Sequence, residues 1–126
     1  MNKTSAITFF YYPDIEPAAR FYEDVLGLEL VLDQGLARIY RVAGVAYFGI
    51  VDGTKGRLPH QERSAALLTI VSDDVEQWHE RLAELGVADL SEILHGVYCD
   101  HFFFADPWGY AIEIQRFRDP EIAKLF

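Results

Sequence analysis

Two stretches of the chain carry the same apolar stripe. Ile15, Ala18, Ala19, Tyr22 and Val25 stand at i, i+3, i+4, i+7 and i+10. Val75, Trp78, His79, Leu82 and Leu85 repeat those steps 60 residues later. One face of a 3.6-residue helix is thus written twice. Each stretch starts at an Asp, Asp14 or Asp74, whose carboxylate can accept from free backbone N–H groups. Each ends at a glycine, Gly27 or Gly86, suited to a left-handed C-terminal cap. Before each helix runs an apolar segment, ITFFYYPD at 7–14 and LLTIVSDD at 67–74.

Strand-like runs follow each helix. In the first half they are Leu28–Asp33, Ala37–Val42 and Val45–Val51, punctuated by Gly35 and Gly44. In the second they are Asp89–Leu94, Tyr98–Phe104 and Tyr110–Arg116. The pattern predicts two copies of strand, helix, three strands. Module one covers about 6–51 and module two about 66–116. A polar linker at 52–65, with Gly53, Gly56 and Pro59, separates them. The tail at 117–126 ends in one or two amphipathic helical turns within Asp119–Phe126. Phe9–Tyr12 and the run around Phe103 are apolar on both faces, where a sheet with one wet face should alternate. Such strands either line a cavity or lie between two buried layers.

Asp106-Pro107-Trp108-Gly109 is a turn signal. Proline fixes φ at the first turn position, and Gly109 can take the left-handed residue of a three-residue loop. That loop pairs Asp106 with Tyr110, Phe103 with Glu113 and His101 with Gln115. A two-residue loop would instead set Phe102 opposite Glu113. Glu113, between Ile112 and Ile114, is the most informative charge. A carboxylate in an apolar strand must be paired, metal-bound or wet. Of the four histidines, His101 alone is expected to point toward it. His60 falls in the linker and is expected in solvent, His79 sits on the helix stripe as a packed side chain, and His95 precedes Gly96 in a turn. The His101–Glu113 pair can act as acid and base, or simply as partners that make burial tolerable.

Composition and charge narrow the function. The chain has 126 residues, 51% of them hydrophobic and 14% aromatic, which excludes a disordered chain and fits one domain. Eleven Lys and Arg against 20 Asp and Glu leave a net charge of −9. A nucleic-acid or anionic-membrane partner calls for a basic footprint, and none is present. No apolar run approaches the roughly 18 residues of a membrane span. No signal peptide is read at the start. Cys99 is the only cysteine, so no intrachain disulfide is possible and the cytoplasm is the expected compartment.

The doubled unit, the D-(I/V)-E helix starts, FYEDVLGLEL and DPWGYAIEI resemble the vicinal oxygen chelate superfamily, which includes glyoxalase I, bleomycin-resistance proteins and extradiol dioxygenases. The likeness runs from about Ile7 to Arg116. It implies an α+β fold of two tandem βαβββ modules forming a curved mixed sheet around a cup, and a homodimer. Enzymes of the superfamily hold a divalent metal with four side chains. The resemblance carries those positions onto Ile7, Gly49, Leu67 and Glu113. Three of the four have no donor atom, whereas a catalytic zinc normally needs three protein ligands. No metal or other cofactor is therefore expected, with a divalent metal at Glu113 as the alternative.

The same register puts Phe9, Tyr11, Tyr47, Thr69, His101, Phe103 and Glu113 on the inner face, with Trp108 at the rim. An apolar, aromatic pocket with few polar points is the usual make-up of a small-molecule site. Aromatic rings also simply fill cores. The reading is metal-independent binding of a small aromatic or cationic molecule. The alternatives are a lyase- or dioxygenase-type enzyme using Glu113 and His101, and a dimeric accessory domain without a ligand.

Overall fold

The computed structural model describes residues 1–126, which divide into two compact units, Met1–Glu62 and Arg63–Phe126. In unit one, β1 (Ala6–Tyr12) leads into α1 (Ile15–Arg20) and a π-helical turn, α2 (Phe21–Val25). Strands β2 (Glu29–Asp33), β3 (Ala37–Ala43) and β4 (Ala46–Asp52) follow. They form a sheet of order β1-β4-β3-β2, with β1 and β4 parallel and the other pairs antiparallel. Unit two repeats the plan with β5 (Leu67–Val71), α3 (Val75–Glu84), β6 (Leu94–His95), β7 (Cys99–Ala105) and β8 (Ala111–Phe117), in the order β5-β8-β7-β6. A last turn, α4 (Pro120–Ala123), ends the chain. No helix is long and apolar enough to cross a membrane.

Alternation assigns the faces. Phe10 and Tyr12 of β1 and Phe48 and Ile50 of β4 are buried on the side covered by α1 and α2. Phe10 meets Phe48 edge-on at 5.0 Å, Tyr22 lies 4.5 Å from Phe48, and the Tyr12 and Tyr22 hydroxyls bond at 3.1 Å. In unit two Phe102, Phe104, Ile112 and Ile114 are buried under Val75 and Leu82 of α3. Truncating one such ring would cost about 3–5 kcal/mol.

Several expectations need correction. The first stripe does not end on Val25. The wide π turn, closed by Leu26 N–H to the Phe21 carbonyl at 3.1 Å, inserts a residue and buries Phe21 and Leu26 instead. Leu85 is exposed because the helix stops at Glu84 and Leu85 only caps it. Asp14 caps its helix, accepting from Glu16 N–H at 3.0 Å, but Asp74 makes no side-chain cap. The segment predicted as strand Asp89–Leu94 is irregular: Asp89 is left-handed (φ 54°), and Ser91 pairs with Phe103 through its own N–H and hydroxyl. Only Leu94–His95 joins the sheet. His60 is not free in solvent: its Nδ1 lies 2.9 Å from the Tyr11 carbonyl, pinning the linker to β1.

Candidate functional site

The β7–β8 hairpin fixes the geometry. Asp106 N–H donates to the Tyr110 carbonyl, and Gly109, at φ 87°, donates to the Asp106 carbonyl. The buried Asp106 Oδ1 also accepts from the N–H groups of Trp108 (3.0 Å) and Tyr110 (2.9 Å). This closes the three-residue loop and sets Phe103 opposite Glu113 and His101 opposite Gln115. On the other side of β8, Thr69 of β5 stands opposite Glu113. Cross-strand partners share a face. Thr69, His101, Phe103 and Glu113 therefore meet on the face of the sheet that α3 does not cover.

Glu113 is buried, and both of its oxygens are engaged. Thr69 Oγ1 donates to Oε1 at 2.7 Å, and His101 Nδ1 lies 2.7 Å from Oε2. The His101 ring stands edge-on to Phe103 at 5.3 Å. Cys99 lies on the same face, two residues before His101, opposite Phe117. Burial, with the charges of Glu113 and Asp100, pushes its thiol up, so it stays protonated. His79, by contrast, is structural. Its Nε2 is 2.8 Å from the Ser91 carbonyl and its ring packs edge-on against Phe102. His95 pairs with Asp100 at 2.8 Å on the exposed hairpin. Trp108 is half-buried in the β7–β8 turn. A shallow groove of about 230 Å³ runs between Asp74, Gln77, Trp78 and Arg81, beside the helix on the other side of the sheet.

In unit one Phe9, Tyr11 and Tyr47 share the face away from the helix. Phe9 lies across Gly49, its parallel-strand partner: a Cβ at Gly49 would come within 2.3 Å of two of its ring carbons. The Tyr11 ring packs close to Gly56. Tyr47 is held by Arg41, a residue missed from sequence. The Arg41 guanidinium donates to the Tyr47 hydroxyl at 2.6 Å and lies 4.9 Å from the ring centroid. The signal available was the strand alternation of ARIYRVA, which puts Arg41 on the face of Ile39.

Two four-stranded mixed sheets, each built as βαβββ, define the glyoxalase class of fold. A family model for the Glyoxalase/Bleomycin resistance protein/Dioxygenase superfamily matches residues 5–114, and the chain belongs to that superfamily. Among solved structures it is similar to a lactoylglutathione lyase from Agrobacterium tumefaciens (21% identity, 91% of this chain and 94% of that one, TM-score 0.73). A glyoxalase/bleomycin resistance protein from Streptomyces sp. CB03234 aligns at 25% identity (88% and 98%, TM-score 0.71). The fosfomycin resistance protein FosX from Mesorhizobium loti aligns at 21% (97% and 98%, TM-score 0.68). No curated protein matches by sequence.

The residues at the four positions carried over from metal-dependent members do not fit a divalent centre. Ile7, Gly49 and Leu67 offer no donor, and no three His, Cys, Asp or Glu side chains cluster to hold an ion. The Gly49 position is moreover covered by the Phe9 ring.

Proposed function

We propose that this protein binds a small aromatic or cationic molecule without a metal, as a homodimer in the cytoplasm. The observation that carries this reading is the Phe9 ring lying over Gly49. An aromatic face, 38% exposed, occupies the place where a metal-dependent relative would need a ligand side chain. Tyr11 and Tyr47 extend that surface with ring area and hydroxyls. Calorimetry or fluorescence from Trp78 and Trp108 against a panel of aromatic and cationic compounds tests it. Saturable binding by metal-free protein is expected, and silence across a broad panel refutes it. Gel filtration at micromolar concentration tests the dimer, and elution at the monomer volume refutes it.

A second reading is favoured by the 2.7 Å His101–Glu113 contact, an imidazole oriented by a carboxylate as in acid–base sites. On that reading the protein is a lyase- or dioxygenase-type enzyme. Elemental analysis of purified wild type and Glu113→Gln separates the two: stoichiometric metal that the substitution removes promotes the enzyme.

A further inference from the structure

We propose that His101 Nε2, on the open face of unit two beside Phe103, is a directed hydrogen-bond acceptor for an aromatic molecule carrying an O–H or N–H donor. The inference rests on the reading that the protein takes an aromatic ligand, and it concerns unit two alone.

Glu113 Oε2 lies 2.7 Å from Nδ1, and a carboxylate can only accept there. The neutral imidazole therefore carries its proton on Nδ1 and a lone pair on Nε2. Thr69 donates to the other carboxylate oxygen at 2.7 Å, which fixes the Glu113 plane and, through it, the ring. Phe103, edge-on at 5.3 Å, flanks the imidazole. No protein group bonds to Nε2, although the side chain is only 20% exposed. The neighbour of Nε2 is Gly96, where even a methyl would stand 3.8 Å away. Gly96 has no left-handed φ; a Cβ there would come 3.3 Å from the Cys99 carbonyl oxygen, so glycine serves that close turn and also puts no side chain over Nε2. A half-buried acceptor with its tautomer locked and its approach clear favours a donor over an apolar isostere. Glu113 here is a positioning residue, not a metal ligand, and Thr69 positions Glu113.

The experiment compares 4-methylphenol, which keeps its O–H at neutral pH, with 4-methylanisole, in which a methyl ether replaces the donor. For wild type the phenol should bind about tenfold tighter or more, the size of one hydrogen bond to a well-oriented acceptor. His101→Gln and Thr69→Val, checked for folding by circular dichroism, should lower that preference. Nitrogen-15 NMR of the free protein supplies a readout that packing alone would not move: His101 should show its proton on Nδ1, and Glu113→Gln should admit the other tautomer. Equal affinity for the two probes overturns the inference and leaves the aromatic reading standing. Binding of neither probe overturns the inference, and a silent panel overturns the aromatic reading as well. A proton found on Nε2 of neutral His101 overturns the inference whatever binds.

Discussion

Gly49→Ala should be coupled to Phe9 and to little else. An alanine Cβ would sit 2.3 Å from Cδ1 and Cε1 of Phe9, a distance no real side chain tolerates. The ring is 38% exposed, so it can swing toward solvent instead of forcing the backbone apart. Swinging out forfeits the buried part of the ring, which at about 1.5–3 kcal/mol for a fully buried phenylalanine comes to about 1–2 kcal/mol. Alanine itself returns about 0.5–1 kcal/mol, because glycine loses more freedom in a strand. The wild-type background should thus show a small net destabilisation. In a Phe9→Ala background the obstacle is gone and the same change should be neutral or stabilising. The coupling energy from a double-mutant cycle, read from urea midpoints, should be about 1–2 kcal/mol. Equal effects of Gly49→Ala in both backgrounds would refute the packing account, and with it the observation on which metal-independent binding is proposed.

Asp106→Ala should cost about 1–3 kcal/mol in urea unfolding, since it strips the buried Tyr110 N–H and the half-buried Trp108 N–H of their acceptor, while Asp106→Asn, which keeps Oδ1, should recover most of that; a loss below about 0.5 kcal/mol in the alanine variant would contradict the role assigned to the loop. Arg116, through a two-pronged hydrogen bond, holds the Glu76 carboxyl down to about 2, below its ordinary value of 4.5. A depressed carboxylate stabilises the fold above the unfolded value and loses that contribution as pH falls through the folded one. Glu76→Gln should therefore flatten stability against pH between 4.5 and about 2, and only at low salt because the carboxylate is exposed; an unchanged profile at low salt would count against the pairing.

What the sequence revealed was local chemistry and period. The register of β7 and β8 followed from Pro107 and Gly109, because a turn type fixes which residues face each other. The grouping of His101, Phe103 and Glu113 followed from that register, whereas Thr69 joined them only through the family resemblance. The misses share a cause in tertiary structure. The π turn at Phe21–Val25 breaks helical period without a local marker, so the stripe slips from Val25 to Leu26. Ser91 satisfies Phe103 with a hydroxyl, where pattern reading expects a backbone ladder. The bond from His60 to the Tyr11 carbonyl spans 49 residues and leaves no trace in the linker's composition. Arg41 was hidden by its charge, which reads as a solvated face until Tyr47 is seen beneath it.

Two of the positions that the family resemblance assigns to metal ligands, Gly49 and Glu113, are each committed to other contacts within their own unit. At Gly49 the space belongs to an aromatic ring, so any donor side chain introduced there must first evict Phe9. At Glu113 both oxygens already hold hydrogen bonds of 2.7 Å, and a cation competing for them would disturb charge-assisted bonds worth about 1.5–3 kcal/mol each. Restoring a donor at Gly49 should therefore give less than a donor normally contributes. Gly49→Glu is expected to gain no measurable zinc affinity by calorimetry over wild type, and to gain no more when Phe9 is retained than when it is Phe9→Ala. Micromolar zinc binding by the single Gly49→Glu variant would refute the account in which the Phe9 ring holds the space at Gly49.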